Sequence, residues 1–227
     1  MHRITPYAPL TEADARQLLD RIAGFGVTIE PGLTEAEIAA AERRWGFRFA
    51  PEHRTLLAVG QPADSEEDNW PDWRDLDSGR ISELMEWQAR GVESQVDRSN
   101  FWHPSWGSRP DDPAVALALA REHTAVLPIL VPVDGWRFLP EAAHGTGNPV
   151  LSFFGPGTDV LAVGRDLAHY FTGPGDEDLP NPVHATAADV PFWTTCGRIG
   201  RWEEGADGHP PNPGPHAIAT LFARSTS

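Results

Sequence analysis

Between Thr11 and Phe25 the apolar positions Leu18, Leu19, Ile22 and Phe25 recur at helical spacing. Thr11 is placed to cap that helix, Glu12 and Asp14 sit at its positive end, and Gly24 and Gly26 stop it. A second helix is announced by Thr34 and Glu37, the two ends of a capping box, with Leu33 able to staple to Ile38 across it. Ile38, Ala41 and Trp45 then share a face, and Gly46 stands where a left-handed C-cap belongs. A third helix starts at Pro51, carries Leu56 and Leu57, and stops at Gly60. A fourth is expected over residues 79–90, from the spacing of Ile81, Leu84, Met85 and Gln88. A fifth is expected to start at Asp112-Pro113 and run to about His123.

Beyond residue 125 the period changes. Short apolar runs at 127–133, 136–139, 150–154 and 159–163 are separated by Asp134-Gly135, Asn148-Pro149 and Gly155-Pro156-Gly157, the punctuation of strands joined by turns. Pro128 and Pro132 place the first run at a sheet edge, because proline cannot donate to a ladder. Asp166 caps a closing helix over 167–171. Helices first and a meander of strands afterwards is an α+β order. After Phe171 the chain holds eight of its 22 prolines and seven of its 21 glycines, so residues 172–227 read as an appendage. It is expected to pack back through Phe192-Trp193 and through the apolar stretch 217–223.

Composition narrows the classes. The chain has 227 residues, enough for a substantial core. Its 18 basic residues are all arginine and face 33 acidic ones, a net charge of −15 that argues against binding a nucleic-acid backbone. One cysteine, Cys196, excludes an internal disulfide framework and any multi-thiolate metal site, and reads as a structural thiol. There is no apolar run of membrane-spanning length and no secretory leader pattern at the N-terminus, so the expected location is cytoplasmic, with no membrane partner.

Two segments are distinctive: Asn69-Trp-Pro-Asp-Trp-Arg-Asp75 and Asn100-Phe-Trp-His-Pro-Ser-Trp-Gly-Ser-Arg-Pro110. Both resemble signature segments of bacterial SUKH-superfamily proteins, relatives of the yeast SMI/KNR cell-wall assembly regulators. Further resemblances follow in order: Gly32 to Ile38 with Trp45 to Phe49, Leu130 to Val133 with Arg137 to Pro140, Gly147 to Ser152, Thr158 to Val160, and Gly164 to Ala168. The hairpin reads Gly135-Trp136-Arg137-Phe138 where the family often has Gly-His-Arg-Tyr, and 160–163 lacks the family's aromatics. The resemblance spans about residues 30–171 and implies a SUKH-like domain there, leaving a helical lead-in over 1–29 and, matching nothing in the family, the appendage over 172–227. It also implies a mainly antiparallel sheet of four to six strands, backed by the N-terminal helices and used as a protein-binding platform. The implied function is non-enzymatic protein binding, led by an immunity protein that neutralises a basic, nuclease-like toxin. The alternatives are an intracellular regulatory scaffold with several clients and, more remotely, a carboxylate-dependent hydrolase.

The residues of the two segments suit docking on their own account. Trp and Arg give large contact area at low entropic cost, and a field of carboxylates steers a cationic partner. The candidate partner-binding set is Trp70, Asp72, Trp73, Arg74, Asp75, Trp102, His103, Trp106 and Arg109. Trp102 is expected inside, and Trp73 or Trp106 at the surface. Other chemistries find less support. His103-Pro104-Ser105-Trp106-Gly107 is superficially like a nucleophile elbow, but His103 replaces its first glycine. No histidine pair has the spacing of a helical zinc site, and Gly145-Thr-Gly-Asn148 lacks the lysine of a phosphate loop and reads as a hairpin connection. No metal and no cofactor is expected, and oligomeric state stays open.

Overall fold

The computed structural model of the chain describes residues 9–63, 70–142, 145–153, 158, 160–173 and 188–199. α1 (Glu12–Ala23) is capped by Thr11 in a full capping box with Asp14, and buries Ala15, Leu18, Leu19 and Ile22. Phe25 does not join that face. It lies past the end of the helix, 47% exposed, because the chain turns at Gly24 and Gly26 takes φ 91°. β1 (Thr28–Pro31) follows, then α2 (Glu35–Trp45), with the Thr34–Glu37 box formed and Gly46 left-handed at φ 76°. α3 (Pro51–Val59) runs straight into β2 (Gly60–Ala63), which pairs antiparallel with β1 from Thr28↔Ala63 to Pro31↔Gly60.

α4 (Gly79–Arg98) is longer than the spacing predicts. Gly91 does not end it, because Gly91 is buried beside Val92 and Val96 on the face that already carries Ile81, Leu84 and Gln88. The stop comes at Asn100 (φ 55°), a residue that tolerates the left-handed region, with the N–H of Phe101 reaching back to Gln95 O. A 3₁₀ turn at Pro104–Trp106 leads to α5 (Pro113–Thr124), capped by Asp112.

β3 (Leu130–Asp134), β4 (Arg137–Pro140), β5 (Val150–Phe153) and β6 (Val160–Gly164) form an antiparallel meander in the order β3-β4-β5-β6. β3 is an edge strand, as Pro132 requires. Its outer edge at Leu130 is closed by a side chain: Gln88 accepts the Leu130 N–H at 3.3 Å and donates to its carbonyl at 2.6 Å. α6 (Leu167–Thr172), capped by Asp166, and α7 (Trp193–Ile199) complete the described residues. The 217–223 stretch lies outside them.

Alternation along the strands decides the layering. Val133, Leu139, Val150 and Val163 point to one side, against Leu18, Leu19 and Ile22 of α1, Leu56 of α3 and Leu167, Tyr170 and Phe171 of α6. Leu130, Phe138, Leu151, Phe153 and Val160 point to the other, against Leu84 and Val92 of α4 and Val190, Phe192, Trp193 and Cys196 of the α7 segment. A third cluster, around Trp73, Phe47, Phe49 and Ile38, packs α2 and α3 against Ile81 of α4 and Val131 of β3. The fold is therefore α+β, but its sheet is not an open platform with helices on one side. Helices cover both faces. Among the described residues no helix is long and apolar enough to cross a membrane.

Candidate functional site

The acidic loop is held in place by its own candidate residues. Trp73 is 1% exposed and sits edge-on to Phe47 at 5.6 Å and Phe49 at 4.9 Å, with His53 at 6.4 Å. Of the two rings expected as alternatives at the surface, Trp73 is not there, because the Trp45–Phe49 exit of α2 and the first turn of α3 supply a ring-lined socket. Trp70 is half-buried and stacks on Phe171 at 6.0 Å and 21°. Arg74 does not face outward as an anchor. Its Nε donates to Glu37 at 2.9 Å, Nη1 to Glu30 at 3.4 Å, and Nη2 to the carbonyls of Pro31 and Gly32 at 2.7 and 3.2 Å. Glu37 is held below the usual carboxylate range by its hydrogen bonds from Thr34 and by Arg74. Asp72 and Asp75 are exposed. Asp72 accepts from Gln61 Nε2 at 2.9 Å and the Arg74 N–H at 3.0 Å, and Asp75 accepts the Asp77 N–H at 3.1 Å.

The second segment packs in a different part of the molecule, on α4, α5 and the α7 segment. Trp102 is half-buried rather than inside, and its Nε1 donates to Gly107 O at 2.9 Å. Trp106, also half-buried, meets Trp102 edge-on at 5.1 Å. It lies between two nearly parallel rings, His123 at 5.1 Å and 4° and Phe192 at 5.4 Å and 11°. His103 is 5% exposed, which lowers its pKa by desolvation. Its Nδ1 takes the Ser105 N–H at 3.2 Å and lies 2.7 Å from Ser105 Oγ. That assigns the proton to Nε2, which is buried without a partner. Ser105 sits in the 3₁₀ turn, not on the strand-to-helix turn that a nucleophile elbow needs. Arg109 is turned inward, to Val96 O at 3.3 Å and Pro110 O at 3.5 Å.

Of the candidate set, then, Trp73 and His103 are buried, and the half-buried Arg74 and Arg109 are tied to carbonyls and carboxylates of the fold. Trp70, Trp102 and Trp106 are half-buried and Asp72 and Asp75 exposed, in two separate places. Among the described residues no group of three or more His, Cys, Asp or Glu side chains is placed to hold a metal. Gly145 to Asn148 does connect β4 to β5, with Gly145 and Gly147 at φ 74° and 75°.

Several notable polar and aromatic side chains lie outside the candidate set. Glu52, 4% exposed, accepts the Gly147 N–H at 3.1 Å, and its other oxygen is buried without a partner. Burial raises its pKa, against the backbone hydrogen bonds that lower it. Asp134 is likewise raised by burial, opposed by Arg137 and by the Tyr170 hydroxyl that donates to it at 3.0 Å. Trp87 and Trp136 pair at 4.7 Å, with the Arg80 guanidinium 4.7 Å above the Trp136 ring. A helical wheel does signal Glu52 and Gln88, each four residues from a buried leucine (Leu56 and Leu84). No family model matches the chain, and no curated protein or solved structure matches it either.

Proposed function

We propose that this chain is a non-enzymatic protein-binding domain of the SUKH type, acting as an immunity protein that captures a basic, nuclease-like toxin domain. The observation that carries the reading is the Trp102–Trp106 pair. Two half-exposed indoles stand edge-to-face at 5.1 Å, and the chain on either side of them carries the exposed carboxylates Asp97, Asp111 and Asp112. Paired aromatics of fixed orientation are the usual anchors of a docking surface, and a chain of net charge −15 draws a cationic partner toward them. The loop carboxylates Asp72 and Asp75 add to that field from a second place. The ordered sequence resemblances and the α+β architecture accord with the reading.

Co-expression with a cationic toxin domain encoded beside this gene, followed by co-purification at low salt, tests it. Retention of the domain and rescue of growth are expected, with both weakened by Trp106→Ala and by charge reversal at Asp72 and Asp75. If no basic domain is retained at low salt and the charge reversals leave growth unchanged, the reading is wrong.

A further inference from the structure

Arg137 opens β4, opposite Asp134 of β3 on one side and Ser152 of β5 on the other. Ser152 in turn lies opposite Leu161 of β6, so Asp134, Arg137, Ser152 and Leu161 form one row across all four strands. Residues opposite each other in a ladder share a face, and so do residues two apart along a strand. The row therefore projects from the same face as Leu139, the face that α1 and α6 cover. Asp134 joins it beside Val133 because the register shifts between Pro132 and Asp134.

The two charged members of the row are satisfied unequally. Asp134 is buried and takes the Tyr170 hydroxyl at both carboxylate oxygens, at 3.1 and 3.0 Å. Arg137 is 5% exposed, and its Nε is closed off from solvent without a partner. Asp134 feels Arg137 as a charge, but no hydrogen bond or ion pair joins the guanidinium to it or to any other described residue. The two Nη are not closed off as Nε is, so the opening left to the group is at its outer end. The Ser152 hydroxyl, on a residue 2% exposed, likewise makes no hydrogen bond among the described residues. A guanidinium buried to this degree without an acceptor forfeits hydration and recovers nothing from the protein. An anion supplied from outside completes it.

We propose that Arg137 and Ser152 form a recessed site for the carboxylate of a small organic acid. The two Nη supply donors for the two carboxylate oxygens, and the Ser152 hydroxyl adds a third. The half-buried Leu161, next in the row, meets the apolar body of the acid. Its surroundings select a single negative charge. Asp134 stands in the same row and the chain carries −15, so a phosphate dianion is repelled more strongly than a monoanion. The row lies on the opposite face of the sheet from the cluster that holds Trp106, and the site does not rest on the protein-binding reading.

The test uses the full chain and sodium benzoate, a singly charged acid with an apolar body. Benzoate is titrated from about 1 to 50 mM against sodium chloride at a matched ionic strength of about 0.15 M, where the net charge is screened beyond roughly 8 Å. Unfolding is followed by scanning calorimetry. The midpoint is expected to rise by roughly 3 °C or more in benzoate and not in chloride. Arg137→Gln is expected to abolish the rise, and Ser152→Ala, which keeps the arginine and removes one small donor, to cut it by roughly twofold or more. Inorganic phosphate is expected to give less than about a third of the benzoate effect. If benzoate does no more than chloride, or if its full effect persists in either variant, the assignment fails. A phosphate effect that equals that of benzoate and is lost in Arg137→Gln overturns the carboxylate class. Should Arg137→Gln not fold, Ser152→Ala decides the outcome by itself. None of these results bears on toxin capture, and failure to capture a toxin leaves this site standing.

Discussion

His53 is a neutral imidazole in the folded protein. Fully buried between Phe49 and Trp73, with Nδ1 unpartnered, it has its pKa lowered by desolvation from 6.5 to about 3. The unfolded chain takes up the proton that the folded one refuses. Its contribution to stability is therefore complete above pH 6.5 and is lost as pH falls toward 3, at up to about 1.4 kcal/mol per pH unit. Glu52 and Asp134 act in the opposite sense. With folded values raised by burial, their contribution is complete below the ordinary carboxylate range and shrinks as pH rises through the folded value. In urea unfolding between pH 4 and 8, His53→Leu should lose less stability toward acid than the unaltered chain does, and Glu52→Gln should lose less toward alkali. Gly32 is a second single-residue constraint. A Cβ there would lie 2.1 Å from Ala58 O, so Gly32→Ala should cost roughly 1–3 kcal/mol or more in the same assay. Neither burial was legible in the sequence. His53 and Trp73 share a socket with Phe47 and Phe49, formed only once α2, α3 and the acidic loop meet, and a Trp among aspartates looks like surface until that socket is known.

At the scale of the element, local chemistry was readable and distant pairing was not. Thr11, Thr34, Asp112 and Asp166 cap the helices they were expected to cap, because capping involves a side chain and a backbone N–H two or three residues away. The β1–β2 ladder joins segments on either side of two helices, and Gln61-Pro62 carries no strand signal of its own. α4 outlasted Gly91 because burial of that glycine against its neighbours outweighed its poor propensity. Gln88 bears the sharpest prediction at this scale. Gln88→Ala leaves the N–H and C=O of Leu130 buried without partners, at a cost of about 1–3 kcal/mol each. It also uncovers the outer edge of β3. Lower stability by denaturant titration, together with concentration-dependent self-association by light scattering, is the expected result.

For the whole molecule, the α+β order and the meander were legible because each strand pairs with its neighbour in sequence. The double covering of the sheet was not, because it depends on where α4 and the α7 segment come to rest. It leaves neither face of the sheet open as the platform that the resemblance implies. An anionic protein that captures a cationic one does so at a rate set by long-range attraction. Stopped-flow association with a basic toxin domain should slow by roughly tenfold or more between low and high salt, as the screening length falls from about 30 Å at 0.01 M toward 3 Å at 1 M. A rate indifferent to salt would mean that the net charge of −15 plays no part in capture.

The four bonds of Arg74 bear on what an approaching partner meets. One planar group joins the acidic loop to β1 and to the start of α2, touching two carboxylates and two carbonyls. Within the same loop Asp72 is tied by Gln61 and the Arg74 N–H, and Asp75 by the Asp77 N–H. In the proposed capture, a surface tied down in this way would surrender little freedom on being occupied, so that shape and charge pattern, rather than adaptability, would decide which molecules it accepts.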